Sequence, residues 1–205
     1  MDYELLGNIW RLLNVEEQKY IKNQALMILD KMNSIESDYF GGIYKDGRIE
    51  RFSKWTDSYK NIVETALGDC LRYGSLAENE CKIIIEKVNE NSRKLNQGIQ
   101  PKAVFSHMDL HWNNIFIDMS TKQIKGVFDF GSALYIPCYM GYFRLNRGFL
   151  SGANCFYHAD TICPIEINDY EYECAEILNT LDYFTFLSYK KYLIKKFNFI
   201  NSNFL

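Results

Sequence analysis

Three side chains stand out for the chemistry their types and spacing allow. In His107-Met108-Asp109-Leu110-His111-Trp112-Asn113-Asn114 a carboxylate, Asp109, precedes an amide, Asn114, by five residues. A second carboxylate, Asp129 in Phe128-Asp129-Phe130-Gly131, closes the next β-prone run. Phosphoryl transfer asks a loop for an acceptor beside the attacking hydroxyl and for oxygen ligands that hold Mg²⁺ against nucleotide phosphates. A loop between a strand and a hairpin lets Asp109 face a substrate while Asn114, at its exit, and Asp129, at the end of the neighbouring strand, meet one ion.

Other uses of these residues are weaker. Asp and Asn are common turn formers, but three in register across a hairpin exceed what turns require. His107 and His111 lie four apart with an acid between them, loosely like the zinc motif H-E-x-x-H, yet the acid is one position late and the flanks read as strands. The Gly42 to Gly47 spacing suggests a phosphate-binding loop, but it continues with Arg48-Ile49 and precedes no convincing helix.

Protein kinases combine H-x-D-x-x-x-x-N with D-F-G. Here the second histidine and the order His-Met-Asp-Leu-His-Trp-Asn-Asn resemble the H-G-D-L-H-x-x-N motif of the aminoglycoside phosphotransferase and choline-kinase-like family. Met27 to Ile35 looks like the helix after that family's interlobe hinge, Phe52-Ser53-Lys54-Trp55 like its helical insert, and Val127 to Ala133 like its second metal motif. The likeness covers most of residues 20 to 145.

The resemblance implies a phosphotransferase that moves the γ-phosphate of ATP or GTP to a hydroxyl of a small molecule, with an aminoglycoside or related amino-sugar as leading class. Asp109 would be the catalytic carboxylate, Asn114 and Asp129 the Mg²⁺ ligands, and His107 a brace for the loop. It further implies a protein-kinase-like C-terminal lobe whose N-terminal β-sheet lobe is absent from this chain or separately encoded. A degenerate lobe that binds without turnover is the rival reading, and it predicts an exposed apolar surface. Met108 stands where the family usually has Gly, so positive φ at that site would be strained.

The rest of the sequence supplies the frame. With 205 residues, 47% hydrophobic and 24% charged, the chain suits a single globular domain over residues 1–205. A net charge of −3 and pI near 5.7 provide no basic field for nucleic acid. No run reaches the roughly 18 apolar residues of a membrane span, and the acidic start Met1-Asp2-Tyr3-Glu4 is unlike a secretory signal, so a cytoplasmic location is expected. The six cysteines form no C-x-x-C pair and read as reduced core thiols.

Apolar spacing predicts a helix over about 16–35, a second with Ile62, Val63, Ala66, Leu67 and Cys70 on one face after caps Thr56 and Asp57, and a third after a Ser75/Glu78 capping box. Phe40 to Arg48 reads as an exposed turn or short hairpin. The runs 103–105, 114–117 and 124–128 read as strands, the last two paired as a hairpin. A loop-rich stretch follows with Pro137, Gly141, Gly148, Gly152 and Pro164, then a helix bearing Tyr170, Cys174, Ile177, Leu181 and Phe184. Asp169, Glu171, Glu173 and Glu176 read as a solvated face, and Lys190, Lys191, Lys195 and Lys196 as the outer side of a packed terminal helix. The expected class is α+β, predominantly helical, with a small central β-hairpin.

Overall fold

The computed structural model describes residues 3–43, 48–150 and 167–203. In chain order these form β1 (Tyr3–Leu5), α1 (Leu6–Ile9), α2 (Val15–Asn33), β2 (Glu36–Ser37), β3 (Phe40–Ile43), β4 (Ile49–Phe52), α3 (Trp55–Tyr73), α4 (Glu78–Gln97), β5 (Ala103–Ser106), β6 (Ile115–Asp118), β7 (Ile124–Val127), β8 (Leu134–Ile136), α5 (Cys138–Leu150) and α6 (Asp169–Asn203). The fold is α+β and predominantly helical. Among the described residues no helix is long and apolar enough to cross a membrane.

The chain divides into two compact units, Met1–Trp55 with Pro101–Glu166 and Thr56–Gln100 with Ile167–Leu205. The first unit holds both sheets. One is antiparallel in the order β1-β6-β7 and the other antiparallel in the order β2-β5-β8-β3-β4. Its core gathers Leu6, Ile21, Ala25, Leu29, Ile115 and Ile117, each 1% exposed or less. Burying one Leu or Ile this fully is worth about 1.5–3 kcal/mol, so these positions anchor α2 and β6 together. On β6 the alternation is plain: Ile115 and Ile117 point inward while Phe116 is exposed.

Local chemistry sets the ends of α2. Asn14 Oδ1 accepts the Glu17 N–H at 2.9 Å and Glu17 Oε2 accepts the Asn14 N–H at 3.0 Å, a reciprocal cap. The helix stops at Asn33, two residues short of the expected end, because Ile35 O already accepts the Phe105 N–H at 2.8 Å as the chain turns into β2. The β6–β7 hairpin forms as expected. Asp118 Oδ1 fastens its turn by accepting from Ser120 N–H, Ser120 O–H and Thr121 N–H, and these bonds pull the carboxyl down to about 2.

In the second unit, α3 buries Val63, Leu67 and Cys70 on the expected face. The N-terminus of α6 is capped reciprocally by Asn168 and Glu171, and Glu173 pairs with Lys87 at 2.9 Å. Both partners of that pair are about two-fifths exposed, so it adds little stability. Burial pushes the Cys174 thiol up to about 12, against the pull of Tyr59 and Asn91. Cys70, Cys81, Cys138 and Cys174 form no disulfide; Cys155 and Cys163 lie outside the described residues.

Several sequence expectations need correction. Phe40 to Arg48 does open a short hairpin, β3 pairing antiparallel with β4, but its first strand is not exposed: β3 lies between β8 and β4 with Phe40 3% exposed, and residues 44–47 lie outside the described residues. The first part of the expected loop-rich stretch is instead helical, since α5 begins directly after Pro137 and runs to Leu150, and Gly141 is tolerated there because its missing side chain admits Ser106 Oγ and Leu29; residues 151–166 lie outside the described residues. The cap of α4 lies two residues later than Ser75/Glu78: Glu80 Oε2 takes the Ala77 N–H at 2.7 Å, while Ser75 O–H turns back to Cys70 O. Helix α3 starts at Trp55, so Thr56 and Asp57 lie inside its first turn. The hairpin is one part of a larger β content, eight strands among the described residues, none longer than four residues. Gly152, Pro164 and the side chains of Lys190, Lys191, Lys195 and Lys196 lie outside the described residues.

Candidate active site

Strand β5 delivers the chain into the loop at His107, which is fully buried. Its Nε2 lies 2.9 Å from Phe128 O, an acceptor only, so Nε2 carries the proton. Its Nδ1 then accepts the Asp109 N–H at 3.3 Å. Burial pushes the ring's pKa down, which keeps it neutral in this double role. His107 therefore ties the loop to the end of β7. Both of its nitrogens are spent on the backbone.

Met108 takes the left-handed conformation, with φ of 62°, and turns the chain so that Asp109 emerges while the flanking Met108 and Leu110 side chains are buried. The site does require positive φ, and the chain meets that requirement without glycine. Asp109 is half exposed, and its Oδ2 lies 3.2 Å from Asn114 Nδ2, which also donates to Asp109 O at 2.8 Å. His111 Nε2 stands 3.5 Å from Asp109 Oδ1. Burial pushes the Asp109 carboxyl up, but the His111 ring, the Asn114 amide and the Arg144 charge together outweigh it, leaving the group below its ordinary value. Asp109 is thus an ionised carboxylate flanked in its loop by the buried Met108 and Leu110 and hydrogen-bonded to Asn114.

Hairpin pairing brings the backbone just before the third residue against Asn114. The Phe128 N–H donates to Asn114 O at 3.1 Å, and Asp129 is the next residue, exposed, with φ of 60° and ψ of 61°. Asp109 and Asn114 are therefore in direct contact, and Asp129 leaves the strand one residue beyond the backbone bond to Asn114. Because Asn114 spends its Nδ2 on Asp109, its Oδ1 has no hydrogen-bond partner among the described residues and could serve as an oxygen donor to a cation.

Residues far from the motif hold this loop from behind. The first turn of α1 packs on the loop's 3-10 turn, Trp112–Asn114, where Gly7 leaves just enough room for the Asn113 side chain. Trp10 meets Trp112 at 5.6 Å between ring centroids, and Lys22 Nζ sits 5.8 Å from the Trp10 ring centre. Gln24 on α2 grips the hairpin turn at both atoms, donating to Lys122 O at 3.0 Å and accepting from Ile124 N–H at 2.9 Å. Gly7, Trp10, Gln24 and Arg144 carry no local sequence signal for such roles, since each acts across the fold. Two exposed rings, Phe116 and Phe128, stack at 5.0 Å beside Asp129.

Comparison with known families decides the class. The model of the phosphotransferase enzyme family matches residues 12–140, a span that contains the loop, the hairpin and α2. The chain belongs to the phosphotransferase enzyme family. No curated protein and no solved structure gives a match. For this phosphotransferase-family member the zinc reading of His107 and His111 falls away: His107 is committed to Phe128 O, and among the described residues no three His, Cys, Asp or Glu side chains gather in a metal-binding group. A hard cation shared between an amide oxygen, one carboxylate, waters and phosphate oxygens needs no such cluster.

Proposed function

We propose that this chain is the protein-kinase-like C-terminal lobe of a small-molecule kinase, transferring the γ-phosphate of ATP or GTP to a hydroxyl, with an aminoglycoside or related amino-sugar as leading acceptor class. The observation that carries the proposal is the contact between ionised Asp109 and Asn114 in a loop whose backbone is bonded to the residue before Asp129. Turn formers scattered on a surface would not share hydrogen bonds in this way.

In this reading Asp109 accepts the hydroxyl of the acceptor and draws its proton, which its lowered pKa suits to orienting more than to strong basicity. Asn114 Oδ1 and Asp129 supply oxygen donors of the kind Mg²⁺ takes, and Mg²⁺, when bound, would neutralise charge on the nucleotide phosphates. His107 keeps the two halves of the site at fixed separation. The exposed Phe116 and Phe128 offer an apolar floor beside the phosphate end, on which a nucleotide base or a nucleotide-covering domain, in this or another chain, would close. A nucleotide donor fits a cytoplasmic setting for this activity.

The same exposed rings favour a second reading, a lobe that binds without turnover. Calorimetry with Mg²⁺ and ATP or GTP, on the wild type and on Asp129→Ala, separates the two. Binding that disappears in the variant, with nucleoside diphosphate formed by the wild type once an amino-sugar acceptor is added, supports the kinase; binding with no diphosphate formed with any such acceptor supports the binding module. No binding at millimolar nucleotide defeats the kinase proposal for this chain.

A further inference from the structure

His111 lies outside the roles above, yet a hydrogen bond of its own orients its ring. It caps the 3-10 turn by accepting the Asn113 N–H on Nδ1 at 3.1 Å. A ring that accepts on Nδ1 carries its proton on Nε2 when neutral, and that atom faces Asp109 Oδ1 at 3.5 Å. Oδ2 of the same carboxylate faces Asn114 Nδ2 at 3.2 Å. The 3.5 Å approach of Asn114 Nδ2 to His111 Nε2 is then two donors converging on one carboxylate, not a bond between them.

We propose that His111 is a positioning residue that, together with Asn114, fixes the rotamer of the Asp109 side chain by holding one carboxylate oxygen each. The backbone of Asp109 is anchored on His107 and its carbonyl on Asn114, so the freedom left is rotation of its side chain. A half-exposed Asp with one held oxygen still pivots; with both held it does not. Transfer geometry makes that matter, since a misplacement of about 1 Å costs on the order of 100-fold in rate. Only the kinetic arm of the test rests on the phosphotransferase proposal.

The full chain is labelled with ¹⁵N in its imidazoles and ¹³C in its aspartates. In the wild type the His111 ring should show the Nε2–H tautomer, and the three-bond couplings of Asp109 a single χ1 rotamer. His111→Gln, which keeps a donor at similar reach, should preserve that rotamer, while His111→Leu should average it. Turnover of Mg·ATP with water as acceptor should fall on the order of 10- to 100-fold in the Leu variant, with Mg·ATP affinity unchanged and with rescue in the Gln variant. A merely structural histidine would lower binding and turnover together and show no rescue by Gln. An Nδ1–H tautomer in the wild type, or an Asp109 rotamer as sharp in His111→Leu as in the wild type, overturns the proposal. Should circular dichroism show that the Leu variant is unfolded, the wild-type tautomer and the rotamer in His111→Gln decide. A wild type that ignores Mg·ATP while the Asp109 rotamer still follows residue 111 leaves the positioning role standing and defeats the kinase reading.

Discussion

The left-handed turn at Met108 makes a quantitative claim about this chain. A side chain at φ of 62° costs about 1–2 kcal/mol relative to glycine. The Met108 side chain is also 9% exposed, and removing a buried Met side chain costs about 2–5 kcal/mol. Burial outweighs strain, so both Met108→Gly and Met108→Ala should be less stable than the wild type. The strain is isolated by comparing the two variants with the same pair at Leu110, which is 3% exposed and is not among the residues of positive φ. Glycine normally loses to alanine by about 0.5–1 kcal/mol, chiefly through the greater freedom of the unfolded chain. Those terms, and the lost methyl, are shared by both sites and cancel. The Gly-minus-Ala stability at 108 should therefore exceed that at 110 by about 1–2 kcal/mol. Urea unfolding monitored by tryptophan fluorescence measures it: with a slope of about 2 kcal/mol/M, the difference in midpoints is roughly 0.5–1 M. Equal Gly-minus-Ala differences at the two sites would refute the claim that the loop is held in a strained turn.

Two further outcomes test the frame around the site. Gly41 has φ of 115° and a Cβ there would meet Glu50 O, so Gly41→Ala should cost about 2–4 kcal/mol in urea unfolding; Gly126→Ala, with open space at its Cβ, should stay within about 0.5 kcal/mol of the wild type. Burial, reinforced by the 2.6 Å bond to Asp30, pushes the Tyr142 hydroxyl up from 10.0 to about 12, and burial raises Cys174 from 9.0 to about 12. Both folded values are raised, so their stabilisation is complete below the unfolded values and is lost as pH climbs toward 12. Urea midpoints should fall across that alkaline window and fall less in Tyr142→Phe and Cys174→Ala; a midpoint unchanged up to pH 11.5 would contradict it.

The sequence by itself determined the helices with strong period and the β6–β7 hairpin. Each is a local property: apolar spacing marks α2 and α3, and a hairpin needs only two β-prone runs and a turn. Bringing Asn114 next to the residue before Asp129 follows from that hairpin alone. The second sheet was not legible, because strands of two to four residues carry too little alternation to read and their pairing, as of β3 with β8, joins distant segments. Helix α5 was hidden by its own Pro137 and Gly141, which look like breakers until the first is seen to precede the helix and the second to admit Ser106. Only the tertiary structure decided that Gly7 and Trp10 back the loop, that Gln24 clamps its hairpin and that His111 faces Asp109. Those contacts depend on where α1, α2 and the 3-10 turn come to rest in space, which no spacing of residue types encodes.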